Sequence, residues 1–302
     1  MDSARTDPRS EFFIPLDQES LKLEYDKDST PEEFHSIATA FDEHLWAVVN
    51  TASVPFYMAG TSAHSKIFMR FHTAERILAL KLTTPGAKLS PELEKLAHEK
   101  AMARMTDEKT DFPTLLLDEL RSVMDVTNLV ESNRELLRQG LVLGWGALEV
   151  FTRDLLEALL NTSPSLATLL MNNADTKKLF TKGLTFDSLS EYNFDASRHM
   201  GTILTNQHPI NTVESMKHVF GVLFPANTQL KSALDDRQLR IINQGRHVIV
   251  HRRGLIDRDY IRLAKEGTLG TRLVITPDKL EENLLVLRNT ANKILIAATH
   301  PS

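Results

Sequence analysis

Cysteine is absent from this chain of 302 residues, which excludes disulfides, thiolate metal centres and a cysteine nucleophile. Nothing in the composition therefore demands an oxidising compartment. No apolar run approaches the ~18 residues that a membrane-spanning helix requires. The first residues, from Met1-Asp2-Ser3-Ala4-Arg5 onward, are polar and carry acids, the wrong pattern for a secretory leader. These absences predict a cytoplasmic protein with no membrane association. Positive charge is also not in excess: 35 lysines and arginines stand against 40 acids, for a net charge of −5 and an isoelectric point near 6.1. Broad, sequence-independent adhesion to duplex DNA rests on many cation-phosphate contacts, so any nucleic-acid site here must be a local basic patch.

Several chemical signatures are missing as well. There is no Gly-x-x-x-x-Gly-Lys-Ser/Thr loop, no Gly-x-Gly-x-x-Gly, no Gly-x-Ser-x-Gly and no His-Glu-x-x-His, which removes the usual nucleotide-hydrolysing, dinucleotide-binding, serine-hydrolase and zinc-protease signatures. Of the 11 histidines, the pairs His64/His72 and His199/His208 lack ligand spacing. Only His247 and His251, four apart, could share a metal, and the expectation is no metal and no cofactor. Repeats and low-complexity tracts are not found either.

What remains is an ordinary globular composition, 42% hydrophobic and 25% charged, with helical periodicity throughout. The fold class is all-α. Residues 1–29 lack sustained periodicity and form an irregular arm, although Phe12, Phe13, Ile14 and Leu16 could dock. Thr30-Pro31-Glu32-Glu33 opens a helix carrying Phe34, Ile37, Ala38, Phe41, Leu45 and Val48. A second helix covers His64 to Leu82, broken by residues 83–88. Ser90-Pro91-Glu92 caps a third, to about Arg104, and Pro113 starts a long one through Leu120, Val123 and Val130. Residues 30–110 thus form an N-terminal helical region of unknown role, followed by a domain over 111–302.

That domain contains the most hydrophobic segment, Leu136 to Leu160, with apolar residues on nearly every face around Trp145: a central buried helix. Glu149 lies within it. It can form an exposed i,i+4 pair with Arg153, or serve as an acid close to a functional site. Shorter helices are expected at 164–172, 175–181 and 193–205, and Asn211-Thr212-Val213-Glu214 caps another through Phe220. Asn227 to about Val250 reads as one helix. A turn at 267–271, an extended piece from Arg272 to Ile275, and a last helix capped by Thr276-Pro277-Asp278 complete the chain.

The helix from Asn227 leads into Gln244-Gly245-Arg246-His247-Val248-Ile249-Val250-His251-Arg252-Arg253-Gly254. Arginine offers a planar, permanently charged fork to a phosphate, and histidine is the side chain that exchanges protons near neutrality. RNA carries its own nucleophile, the 2′-hydroxyl, so strand cleavage needs only these two group types and no metal, and is within reach of Arg246 and His251, although one histidine per protomer does not readily serve both ends of the reaction. Arginines at 237, 240, 246, 252, 253, 258 and 262 supply the local basic patch. At 100° per residue, Ile241, Ile242, Gly245, Val248 and Ile249 share the core face, while Arg240, Asn243, Gln244, His247 and His251 share the opposite one. Arg246 falls on the flank, about 140° from His251. Within one protomer the two meet only through the reach of the arginine or fraying before Gly254, or a second protomer completes the site.

The fuller pattern, Arg-His-Val-Ile-Val-His-Arg-Arg-Gly-Leu-Ile-Asp over residues 246–257, resembles the HEPN superfamily of all-α ribonucleases. Its motif is an arginine, usually followed by a polar residue, then four to six residues and a histidine. Arg246 is followed by His247 and fits; Arg240, followed by Ile241, does not. Gly254 and Asp257 resemble the branch with Val-His-x-x-Gly-x-x-Asp. The resemblance covers roughly residues 112–302 and implies a helical bundle that dimerises with two motifs facing one cleft. It further implies a metal-independent endoribonuclease, often part of a toxin, abortive-infection or antiviral defence system with an antitoxin or other partner protein. Some members have instead lost catalysis and bind RNA, nucleotides or proteins. The resemblance assigns catalysis to Arg246 and His251, support to His247, Asn243 and Glu149, and RNA binding to Arg240, Arg252 and Arg253. Members silenced by a nucleotidyltransferase antitoxin carry a tyrosine two residues after the motif histidine. Arg253 occupies that position here, so silencing by adenylylation there is not expected.

Overall fold

Helix starts along the chain follow side chains that satisfy the orphan N–H groups of a first turn. The computed structural model describes residues 13–83, 86, 88–124, 127–180 and 186–299, with the backbone alone at 123, 124, 127 and 188. Expectations for residues 1–12, 84, 85, 87 and 181 lie outside the described residues. The helices are α1 (Gln18–Leu21), α2 (Glu32–Leu80), α3 (Pro91–Met105), α4 (Phe112–Met124), α5 (Thr127–Thr162), α6 (Leu166–Asn172), α7 (Ala174–Leu179), α8 (Phe186–Ser190), α9 (Met200–Thr205), α10 (Val213–Leu223), α11 (Thr228–Leu234), α12 (Arg237–Arg252), α13 (Arg258–Ala264) and α14 (Pro277–Thr299). No strand occurs among the described residues, and a single antiparallel bridge joins Leu255 to Arg272. The all-α class stands.

Ser90 caps α3 ahead of Pro91, Thr212 and Ser215 form a reciprocal capping box on α10, and the Thr276 hydroxyl accepts from Lys279 N at 3.2 Å at the start of α14. Thr30 behaves differently from expectation. Its hydroxyl turns back to the Asp26 carbonyl at 2.6 Å rather than capping α2.

Four helix boundaries also differ. The two helices expected over 30–48 and 64–82 are one, α2, which carries Pro55 in its interior. The intervening turns bury Ala52, Ser53, Ala59 and Ala63, small residues whose helical spacing is easily missed, and their burial outweighs the proline's lost hydrogen bond. The helix expected from Pro113 through Val130 is present as α4 and the start of α5, the residues between them, 125 and 126, lying outside the described residues, and α5 runs on without interruption through the helix expected to begin only at Leu136. Of 193–205 only Met200–Thr205 is helical; Asn193 and Phe194 adopt left-handed backbone at φ 50° and 62°, which a helix cannot contain. The segment from Asn227 to Val250 breaks at Asp235-Asp236, where Asp236 accepts from Gln238 N and starts α12 afresh.

The chain forms two compact units, and the division differs from a cut near residue 110: one comprises residues 1–13 and 52–135, the other 14–51 and 136–302. In the first, Ala59 and Ala63 of α2 pack with Leu120 and Leu116 of α4. The buried Glu119 is paired with Arg70 and lies 3.8 Å from Lys66.

In the second, α5 is the central helix. Leu141, Trp145, Leu148, Phe151, Leu155 and Leu156 are all buried on it, and Phe151 meets Phe41 of α2 with ring centroids 4.9 Å apart. Gly140 and Gly144 form a notch one turn apart. A Cβ on either would come within 2.9 Å of Leu280 Cδ2 or 2.8 Å of Leu284 Cδ2 respectively, so the space left by the two missing side chains is occupied by leucine ends of α14. α12 turns Leu239, Ile242, Gly245, Val248 and Ile249 to this core; Ile241, expected with them, is only half-buried. From residue 13 onward the arm is less irregular than its composition suggests. It contains α1, buries Ile14, Leu21 and Leu23, and is strapped down by Leu23 N donating to Asp42 at 3.0 Å, Glu24 N to Asn292 at 2.9 Å and Arg288 to the Lys22 carbonyl at 2.8 Å.

Candidate functional site

The motif occupies the last turns of α12 and the loop into α13. α12 ends because Arg253, at φ 55°, and Gly254, at φ 78°, turn into the left-handed region that closes helices. Gly254 N reaches back to the Val248 carbonyl at 3.0 Å. The chain then runs alongside 270–273, with Leu273 N donating to the Gly254 carbonyl at 2.8 Å and Ile256 N to the Thr271 carbonyl at 2.9 Å. Asp257 caps α13 through Tyr260 N at 2.8 Å, accepts from Gln244 Nε2 at 3.4 Å and lies 3.4 Å from Arg252 Nε. Gly254 and Asp257 therefore have local structural reasons to be where they are: one ends α12, and the other starts α13 and ties it back.

His247 and His251, one turn apart on the exposed face of α12, pack their imidazoles with centroids 4.8 Å apart and planes inclined at 46°. Beside them opens a hollow of about 780 Å³, lined by both histidines together with Arg252, Asp257, Arg258, Asp259 and the apolar Leu255 and Leu269. Arg246 does not line it. On the flank of α12, its guanidinium lies 3.5 Å from Glu149 Oε1 of α5, and the same oxygen accepts from the Trp145 indole at 2.6 Å. The expected Glu149/Arg153 pair is not formed, because Arg153 turns to Asp154 at 2.8 Å. Burial pushes the Glu149 carboxyl above its ordinary range, against the opposing pull of the Arg246 charge and the Trp145 hydrogen bond.

The structure thus brings Arg246 to Glu149, and His247 to His251, without bringing Arg246 and His251 into hydrogen-bond contact. This is the separation that the helical geometry anticipates. Asn243 and Gln244 are half-buried on the same helix.

The arginines of the basic patch are mostly committed to the fold. Arg237 donates to the Leu263 and Ala264 carbonyls at the end of α13, Arg240 to the Asp235 carbonyl at 2.7 Å, and Arg262 to Asp259 at 3.0 Å. Adding Arg246 with Glu149 and Arg252 with Asp257, five of the seven have partners. Of these seven, the side chains of Arg253 and Arg258 make no hydrogen bond or ion pair among the described residues, and Arg258 lines the hollow. The sequence places Arg258 in the basic patch and Trp145 in the buried helix but assigns neither a role in the site. The i,i+4 spacing of Trp145 and Glu149 was the available signal for the latter; nothing local distinguishes Arg258 from its neighbours.

No group of three or more histidine, aspartate or glutamate side chains arranged to hold a metal ion occurs among the described residues. No described helix is long and apolar enough to cross a membrane. Compared with models of known families, with characterised proteins and with solved structures, the chain matches none.

Proposed function

We propose that this protein is a metal-independent endoribonuclease of the HEPN type, cleaving single-stranded or looped RNA by attack of the 2′-hydroxyl on the adjacent phosphate, in a defence or toxin-type system. The observation that carries this reading is the exposed pair His247/His251 opening onto a hollow with arginine on its wall. Proton exchange and phosphate recognition are thereby available in one place. His251 exchanges the proton, and Arg246, oriented by Glu149, adds positive charge for the phosphate from the flank of α12. Asn243 is a neighbouring positioning residue, and Arg252 and Arg253 extend the cationic surface for RNA.

The working assembly in this reading is a homodimer. Leu143 and Val150, two turns apart on one stripe of α5, and Val250, one turn beyond Arg246 on α12, are all exposed. Between the first two lies Gly146, where an added Cβ would meet nothing within 4 Å. This low apolar strip borders the Arg246/Glu149 pair and suits a second copy of the same surface, which would bring the two motif segments to one cleft.

The test is cleavage of a single-stranded RNA by the purified protein in EDTA, with the matched DNA left intact. Arg246→Ala and His251→Ala should each slow cleavage by about a hundredfold, the scale of losing an acid-base or charge-stabilising group. Arg240→Ala, which removes a side chain committed to Asp235, should cost far less. Equal losses from Arg240→Ala and Arg246→Ala, or RNA retained intact by the wild type, would replace the enzyme with an RNA-binding scaffold. Light scattering should give a dimer, and a fully active monomer would remove the second protomer from the site.

A further inference from the structure

Resting on the ribonuclease reading, we propose that His247 and His251 of a single chain are the general acid and general base of the cleavage, with Arg258 the cation that holds the phosphate in the same hollow. Attack by a 2′-hydroxyl and departure of the 5′-oxygen occur on opposite sides of one phosphorus. One group must accept the 2′-hydroxyl proton as the new P–O bond forms, and another must deliver a proton to the 5′-oxygen as the old P–O bond breaks. A single imidazole cannot serve both oxygens at once. Two can, and α12 supplies two, because residues four apart project from the same face one turn apart.

The rings of His247 and His251 lie 4.8 Å between centroids, so a phosphate laid across their open edges has one imidazole towards each apical oxygen. Both side chains are exposed on the wall of the hollow, whereas Arg246 lies outside it and is engaged by Glu149. Arg258, on the same wall, is not committed to any carboxylate or carbonyl among the described residues. Its neighbours there are neutralised: Arg252 by Asp257 and Asp259 by Arg262. That leaves Arg258 as the charge available to a phosphate dianion or diester.

The step balances within the chain. One imidazole gains the 2′-hydroxyl proton, the other loses one to the 5′-oxygen, and the products are a 2′,3′-cyclic phosphate and a 5′-hydroxyl. Hydrolysis of the cyclic phosphate by water, with the two roles exchanged, restores the starting protonation.

The experiment uses the full-length protein and an RNA with one cleavable position, made in two forms: the ordinary 5′-oxygen, and a bridging 5′-sulfur that departs as a thiolate without needing a proton. On the oxygen substrate, His247→Ala and His251→Ala are each expected to be about a hundredfold slower than wild type. On the sulfur substrate one of the two, the variant lacking the acid, should recover to within about tenfold of wild type while the other stays slow. Both substitutions are at exposed positions, so loss of folding does not confuse the result. Recovery by neither, or near-wild-type cleavage by His247→Ala, overturns the couple while leaving the ribonuclease reading in place; a wild type that cleaves neither substrate overturns that reading itself. Co-expression of the two histidine variants should produce no active protein, because each chain carries an incomplete couple; activity restored by mixing overturns the single-chain assignment. Arg258→Ala should raise KM for RNA by about tenfold or more, the scale of a charged hydrogen bond, with Arg198→Ala, an exposed arginine outside the motif, as the comparison. Equal effects from the two would remove Arg258 from the site.

Discussion

Replacing Arg246 by methionine, Glu149 by glutamine, and both together isolates the contact that holds the flank of the motif helix. At 3.5 Å a unit pair interacts by about 5 kcal/mol at an effective dielectric of 20, but this gross figure is opposed by the burial that raises the Glu149 carboxyl. The side chains retain 26% and 23% of their exposure, between the surface pairs worth about 0–1 kcal/mol and the buried pairs whose disruption costs about 3–5 kcal/mol. A coupling of about 1–1.5 kcal/mol is therefore expected from the cycle. Arg246→Met alone should cost about 2 kcal/mol, because it leaves a half-buried carboxylate with only the Trp145 N–H for support. Glu149→Gln should cost less, since the amide oxygen still accepts from Trp145.

The pH dependence has a definite sign. Burial raises the folded-state carboxyl above its unfolded value, so folding takes up a proton and stability rises as pH falls through the folded value towards the ordinary glutamate value of about 4.3. Without the guanidinium the carboxyl is raised further. The deficit of Arg246→Met is thus full at neutral pH and shrinks as pH falls towards about 4.3. Urea unfolding of the four proteins, followed by Trp145 fluorescence in a Trp46→Phe background, measures both effects, the chain having only 2 tryptophans. Additivity of the single substitutions within about 0.3 kcal/mol, or a deficit constant with pH, would refute the reasoning.

Other outcomes follow from the packing. Gly201→Ala should cost about 3 kcal/mol or undock α9, because its Cβ would come within 2.7 Å of the Glu157 backbone carbon, a clash with main chain that a rotamer change cannot relieve; a change under 1 kcal/mol in thermal or urea unfolding would contradict this. Burial pushes the Asp42 carboxyl up to about 6, so its ionisation opposes folding above that pH. Asp42→Asn, which keeps an acceptor for Leu23 N, should stabilise at pH 7.5 by about 1 kcal/mol, the full displacement of about 3 kcal/mol being discounted for partial exposure. That gain should shrink as pH falls from about 6 and be gone by about pH 4, and a loss of stability at pH 7.5 would mean that the ion's pull on Arg288 and Lys22 outweighs its burial. Tyr260 is buried and donates to Glu266 at 3.0 Å; Tyr260→Phe should cost about 1 kcal/mol, with hydrogen exchange rising at 266–271 first and no such rise counting against the anchor.

The sequence by itself determined what depends on near neighbours in the chain. Helical periodicity gave the all-α class; Ser90-Pro91, Thr212 and Thr276 marked their helices because capping is a contact across three residues. The i,i+4 spacing was enough to place His247 and His251 on one face and Arg246 on the flank of α12. Tertiary structure decided what depends on partners far along the chain. Pro55 stays inside a helix because Ala59 and Ala63 find Leu116 and Leu120, a burial gain that no local propensity contains. Gly140 and Gly144 read as helix-weakening residues until Leu280 and Leu284 arrive to fill the space above them. For Glu149 the sequence offers Arg153 as an i,i+4 partner or a place near a functional site, and only the packing of α5 against α12 brings Arg246 to it while Arg153 turns to Asp154. The arginine-rich segment, apparently a uniform basic patch, was sorted by the fold into side chains that satisfy carbonyls and carboxylates and a remainder that faces solvent. That sorting depends on long-range placement of helix ends, because a guanidinium takes whichever acceptors the packed chain brings within reach.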